Sequence, residues 1–292
     1  MRKAAFLLPF IFSWLISCRP PTPLPAFTPL AVPSPTPFLP TPTSVPAIAI
    51  VNGEAIPLAE FQAELQRYRQ AQEEAGVPYN ESEARHVVLN AMIDEVLLAQ
   101  AARQAGFLVT DGLLRSRIET LVAQGGGMDA FRSWMTSYGY DDDSFRHALA
   151  RAIQAAWMRD QIIAKVPTQA EQVHVKQILF YNEQEAKQVW QQLQNGADFD
   201  ALARQYDPLT GGDLGWFPRG YLLEPLIDET AFRLQPGQHS EVLKSEIGYH
   251  IIKVVERAVH PLAAHALHFA QQRALQDWLR QQREQSVIQI IP

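Results

Sequence analysis

Few stretches of this 292-residue chain hold side chains whose types and spacing could do chemistry. One is Gly248-Tyr249-His250-Ile251-Ile252-Lys253-Val254, a β-branched run carrying a histidine, the side chain whose charge changes near neutral pH. About thirty residues earlier stands Gly211-Gly212-Asp213-Leu214-Gly215-Trp216-Phe217-Pro218-Arg219-Gly220, where four glycines bracket an apolar strand candidate, Leu214 to Phe217. Glycine at that density permits positive φ or close backbone approach, so the strand is entered and left by tight turns. His260, His265 and His268 form a third group near the start of a C-terminal helical pattern. His265 and His268 share a helix face, but no cysteine or carboxylate completes a metal site, and a solvated face is the expectation. No phosphate loop, GxSxG elbow or HExxH helix is present, and no metal or cofactor is expected.

Composition narrows the classes. Hydrophobic residues at 47% and charged residues at 19% describe a globular chain. A net charge of −6 without a basic stripe argues against nucleic acid as a partner. One cysteine excludes an intramolecular disulfide.

The elements that must position these residues begin after an unusual N-terminus. Arg2 and Lys3 precede an apolar run from Ala4 to Ile16, the n-region and h-region of a secretory signal, shorter than the ~20 residues that span a bilayer. Residues 19–46 carry eleven prolines, which favour polyproline II over helix or ladder and could reach roughly 85 Å. Ala47 to Ile56 reads as a hairpin around Asn52-Gly53. Leu58, Phe61, Leu65 and Tyr68 then follow at helical spacing. Asn80-Glu81-Ser82-Glu83 opens a helix to about Ala105 as a capping box, and helices over Asp111 to Gln124, around Phe131 to Tyr138, and from Asp141 to Val166 follow. Their aromatic and methionine residues read as core, with an open groove for unfolded chains as the alternative. Pro167 ends the last helix.

From there the pattern becomes mixed. Val173 to Phe180 alternates as a strand, Glu183 to Asn195, Asp198 to Tyr206 and Glu224 to Leu234 read as helices, and Ser240 to Lys244 and Gly248 to Val255 read as strands. This predicts an α+β chain, with a small antiparallel sheet surrounded by helices. An amphipathic C-terminal helix with Leu275 and Trp278 follows, and Val287 to Ile291 suggests a short strand.

The Gly-rich and histidine-bearing stretches, in this order and spacing, resemble the parvulin family of peptidyl-prolyl cis/trans isomerases over roughly Val173 to Arg257. The resemblance implies a proline pocket at Leu222, Leu226 and Phe232, with a plain core role open for Phe232. It also implies polar catalytic positions at His250, at Ser245 five residues before it, and at Asp207 in Tyr206-Asp207-Pro208. Where the family has its first histidine this chain has Gln177, and the loop from Tyr206 to Gly211 is shorter than usual, which could move Asp207 away. Glutamine donates and accepts hydrogen bonds but does not titrate. His174 is no substitute, since residues three apart on a strand point to opposite faces. If Gln177 occupies the first histidine's place, the resemblance implies that it shares one sheet face with His250, on adjacent strands.

Leu15-Ile16-Ser17-Cys18 resembles a bacterial lipobox, which implies a lipid on the Cys18 sulfur and cleavage after Ser17; an ordinary signal peptide with a chance cysteine is the alternative. The hairpin, helices and following module resemble the SurA and PrsA foldases, with the C-terminal helix returning to the N-terminal domain. The expected organisation is a lipoprotein signal peptide over 1–17, a lipidated cysteine and proline-rich linker over 18–46 and a SurA-like helical chaperone domain over 47–167. A parvulin domain over 168–258 and a helix and tail over 259–292 complete it. This implies an extracytoplasmic foldase, lipid-anchored to the bacterial cell membrane, acting on X-Pro bonds of unfolded or secreted polypeptides. A non-catalytic holdase with a degenerate parvulin domain is the alternative.

Overall fold

The computed structural model describes residues 46–292; the signal segment, Cys18 and the proline-rich stretch up to residue 45 lie outside the described residues. The α+β chain divides into two compact units, one of residues up to Met158 together with Leu279–Pro292, the other Arg159–Trp278. No helix among the described residues is long and apolar enough to cross a membrane.

In the first unit, β1 (Ala47–Val51) and β2 (Glu54–Pro57) pair as a hairpin. Asn52 and Gly53 hold φ of 52° and 85°, the double positive φ of a type I′ turn. Helix α1 (Leu58–Ala75) follows, and α2 (Glu81–Gln104) opens at Asn80, whose side chain accepts the Glu83 N–H. Ile56, Phe61 and Leu65 close on Val88, Met92, Ile93 and Val96 of α2, each such burial stabilising by ~2 kcal/mol. Helices α3 (Asp111–Gln124), α4 (Met128–Ser137) and α5 (Asp142–Ala164) complete the helical run. Phe131 and Met135 of α4 pack on Phe145 of α5 in a smaller core. Asp141 and Ser144 exchange backbone-to-side-chain bonds to cap α5. Arg151 of α5 ion-pairs with both Glu60 of α1 and Glu95 of α2.

The second unit is built on a four-stranded antiparallel sheet in the order β4-β3-β6-β5. Its strands are β3 (Gln169–Phe180), β4 (Asp213–Pro218), β5 (Leu243–Lys244) and β6 (Tyr249–Pro261). β3 starts before the expected Val173 and β6 runs past the expected Val255, because the two pair along their whole length from Gln169↔Pro261 to Phe180↔Tyr249. His260, near the start of the C-terminal helix as expected, itself lies at the end of a strand, its ring 4.4 Å from that of Trp216. β5 is shorter than the expected Ser240 to Lys244, because the Ser240 hydroxyl, not a ladder carbonyl, accepts the Ile252 N–H at 3.0 Å.

Alternation gives this sheet two apolar faces. Ile178, Phe180 and Ile251 pack on α6 (Glu183–Gln194) and α7 (Phe199–Tyr206), through Ala186, Val189 and Leu193 and through Phe199 and Ala203. Val173, Val175, Ile252 and Val254 pack with Phe217 of β4 on Ile227, Ala231 and Phe232 of α8 (Pro225–Arg233). After β6 comes α9 (Ala264–Gln285) and then β7 (Ile288–Ile290), which pairs antiparallel with β1. Arg283 donates to Asp94 and Asn90 of α2. The expected return of the C-terminal helix to the N-terminal domain is what the fold shows.

Candidate active site

His250 sits on β6 opposite Leu179 of β3, with Gln177 two residues further along the same face. Its imidazole is 1% exposed, yet both ring nitrogens have partners. Nδ1 lies 3.1 Å from Gln177 Oε1, and Nε2 lies 2.7 Å from Ser245 Oγ. The Ser245 hydroxyl in turn accepts the Ile247 N–H at 3.2 Å. With the Gln177 carbonyl oxygen turned toward the ring, Nδ1 carries the proton, and in the neutral imidazole Nε2 accepts from the serine hydroxyl. The row Gln177–His250–Ser245 is thus satisfied with a neutral imidazole. Burial lowers the His250 pKa from its ordinary 6.5, opposed by the negative charge of Glu224.

Two glycines make this row attainable. Gly248 turns the chain from Ser245 into β6, and a Cβ there would meet the Phe180 carbonyl at 2.4 Å. Gly212 lies against Gln177, accepting its N–H at 2.8 Å, and a Cβ there would stand 1.9 Å from the Gln177 carbonyl. The glycine-rich stretch therefore serves close backbone approach at the residue that replaces the expected first histidine.

Asp207 is not in the row. Its oxygens accept the N–H groups of Leu209 and Thr210, each at 3.1 Å, and that of Gly212 at 3.3 Å, together with the Thr210 hydroxyl. The bonds from Thr210 lead in holding its carboxyl below the usual carboxylate range. Asp207 shapes the loop that brings Gly212 to Gln177, and the structure gives it no hydrogen bond to Gln177, Ser245 or His250. His174 faces away, pairing with Asp213 at 2.7 Å and stacking on Trp216.

Of the three expected pocket residues, Leu222 is half-buried against the α8-side core and Leu226 is 42% exposed. Phe232, by contrast, is only 5% exposed. It packs edge-on to Phe217 at 6.2 Å, with the Arg219 guanidinium 4.3 Å above its ring, so it forms the core beneath the pocket rather than its surface. Leu214 and Tyr221 join Leu222 on that core. In the sequence Leu214 reads only as strand and Tyr221 carries no signal, although both stand in or beside the glycine-rich stretch. Glu224 reads in the sequence only as a helix start, yet its charge acts on His250, and Asp228, unmarked in the sequence, is a buried carboxylate with backbone partners eight and six residues upstream. No periodic signal marks such contacts.

Residues 162–256 match the family model of the PPIC-type PPIase domain, and residues 29–136 match that of the SurA-like N-terminal domain. The chain therefore carries a parvulin-type peptidyl-prolyl cis/trans isomerase domain joined to a SurA-like N-terminal domain. In that arrangement it is similar to proteins named as foldases and chaperones. It is 28% identical over 240 residues to the foldase protein PrsA of Caldanaerobacter subterraneus subsp. tengcongensis, covering 73% of this chain and 74% of that protein. It is 26% identical over 247 residues to the chaperone SurA of Chromohalobacter salexigens, covering 72% and 56% respectively. Against the crystal structure of a peptidylprolyl isomerase (PrsA) from Bacillus cereus the identity is 25% and the TM-score 0.46, over 82% of this chain and 89% of that one.

Proposed function

We propose that this protein is a membrane-tethered extracytoplasmic foldase that isomerises X-Pro peptide bonds in unfolded or secreted polypeptides and holds those polypeptides through its helical domain. In this reading Cys18 carries the lipid, 18–46 is the stalk, 47–167 receives the client and 168–258 turns the bond. The observation that carries the catalytic half is the hydrogen-bonded row Gln177–His250–Ser245 on the sheet face that also packs Leu222.

Rotation about a peptide bond breaks amide resonance, at an uncatalysed barrier of ~18–20 kcal/mol. A catalyst must favour the twisted amide over the planar one. Leu222 and Leu226 supply apolar surface for the proline ring, and the polar row is pre-organised beside it, so no reorganisation is needed as charge localises on the amide. Neutral His250 acts within this row as a fixed dipole, donating to Gln177 and accepting from Ser245, with no covalent step.

A second reading has its own support. Gln177 in place of a titrating residue, and an Asp207 carboxylate engaged by its own loop, favour a peptide-binding holdase with a degenerate isomerase domain. An isomerase assay on a proline-containing peptide separates the two: turnover above the uncatalysed rate supports the foldase, and peptide binding without turnover supports the holdase.

A further inference from the structure

The turn that carries Leu222 is held from two sides by residues with no assigned role. Gly220, at φ 76°, donates its N–H to both oxygens of Asp228 at 3.0 and 2.8 Å, and Leu222 donates its N–H to the same carboxylate at 3.4 Å. Asp228 is 4% exposed and stands in the first turn of α8, where the helix dipole favours a negative charge. The N-cap position belongs to Glu224, and Asp228 is the fourth residue of the helix. The bonds of the Asp228 carboxylate run outward to the pocket turn, and Glu224 makes no side-chain cap bond.

The carbonyl of the same glycine is held from the other side. It accepts Arg273 Nη1 of α9 at 3.2 Å, and a Cβ on Gly220 would stand 1.9 Å from that nitrogen. Tyr221, the next residue, meets Phe269 of α9 edge-on at 5.4 Å. α9 lies beyond residues 162–256, the span matched by the isomerase family model.

We infer that Asp228 and Arg273 are positioning residues of the proline pocket, clamping Gly220 at its N–H and its C=O so that Leu222 is presented in one fixed place. α9 then completes a pocket frame that the isomerase domain alone leaves open on one side. This rests on the isomerase reading above.

The test uses the full chain with Asp228→Asn, Asp228→Glu, Arg273→Ala and Arg273→Lys. Three quantities are read: the affinity for a proline-containing peptide, the split between KM and kcat, and amide hydrogen exchange at Gly220 and Leu222. Asp228→Asn places an NH2 group against N–H donors. It should weaken peptide binding and raise KM by about fivefold, with kcat within about twofold, and speed exchange at the two amides while β3 and β6 keep their protection. Arg273→Ala should move the same readouts by about twofold, with Arg273→Lys restoring part of the loss. Folded Asp228→Asn protein with unchanged affinity and KM would overturn the proposal, as would exchange that rises equally across the sheet. If Asp228→Asn does not fold, Arg273→Ala decides by the same criteria. Absence of turnover in the wild type would overturn the isomerase reading only, since peptide affinity and exchange still decide the clamp.

Discussion

Nδ1 of His250 stands 3.1 Å from Oε1 of Gln177, across the two central strands of the isomerase sheet. The contact joins residues 73 positions apart and fixes which nitrogen of a buried imidazole holds its proton. It replaces what would be an interaction between two titrating rings with one between a ring and an amide. The site is therefore built for a single protonation state over the neutral range.

That relationship makes a pH prediction. Burial lowers the folded-state pKa of His250 from 6.5, and Glu224 limits the fall. The unfolded chain then takes up the proton first, so this contribution to stability is complete above pH 6.5 and is lost as the pH falls from there through the folded value. Turnover should likewise hold through the ordinary histidine range and decline only below it. An NMR titration should find the His250 ring titrating below an ordinary histidine, and lower still in Glu224→Gln. A midpoint at or above the ordinary value would contradict the assigned neutral row.

Arg151 predicts the cost of breaking a partly buried ion-pair cluster. Its side chain is 15% exposed, and those of Glu60 and Glu95 are 22% and 25% exposed. Burial pushes the Glu95 carboxyl up, opposed by Arg151. Arg151→Ala leaves two carboxylates facing each other without their cation and should cost about 2 kcal/mol, less than a fully buried pair. Urea unfolding at neutral pH checks this, and the loss should shrink as acid protonates the glutamates. A change below a few tenths of a kcal/mol would contradict it.

The C-terminal strand predicts a dependence of the first residues on the last. β7 pairs Ile288 with Val51 and Ile290 with Ala49, and Asn52 bonds Ser286 and Val287. Deleting residues 286–292 should destabilise the helical unit by about 2 kcal/mol through the lost ladder bonds. Amide exchange in β1 should accelerate while that in β3 and β6 is unchanged. Unchanged β1 protection would show that the pairing contributes nothing.

How much of this was legible in the chain differs by the range of the cause. Asn52-Gly53 and Asn80-Glu81-Ser82-Glu83 announced a turn and a helix start because both work within four residues. Alternation put Val173, Val175 and Gln177 on one side of their strand and His250, Ile252 and Val254 on one side of theirs, because strand period is two; that the two sides coincide was implied only by the family resemblance, and the register of β3 on β6 supplies it. The ends of β3 and β6 were not legible, since each is set by a partner some ninety residues away, as Gln169↔Pro261 is. Asp207 and Phe232 carry residue types that suit a site. Only the packed chain shows that one is engaged by its own loop and the other lies beneath the surface.

The anchor predicts a fractionation result. If Cys18 carries the lipid, Cys18→Ser should release the protein from membranes or block processing after Ser17. The lipobox resemblance implies a diacylglyceryl group, and two chains hold stably where a single one binds reversibly, so the wild type should stay bound in high salt. Unchanged membrane partition and unchanged processed mass in Cys18→Ser would contradict the tether.

The most direct test of the central claim is the rate at which the full-length protein interconverts cis and trans forms of a proline-containing peptide, measured by protease coupling or NMR exchange, in wild type, His250→Ala and Gln177→His. The account predicts turnover by the wild type, a loss of about tenfold or more in His250→Ala, because Gln177 and Ser245 lose the ring that joins them, and a gain in Gln177→His. A wild type that binds the peptide without turnover, or rates left unchanged by both substitutions, would contradict it.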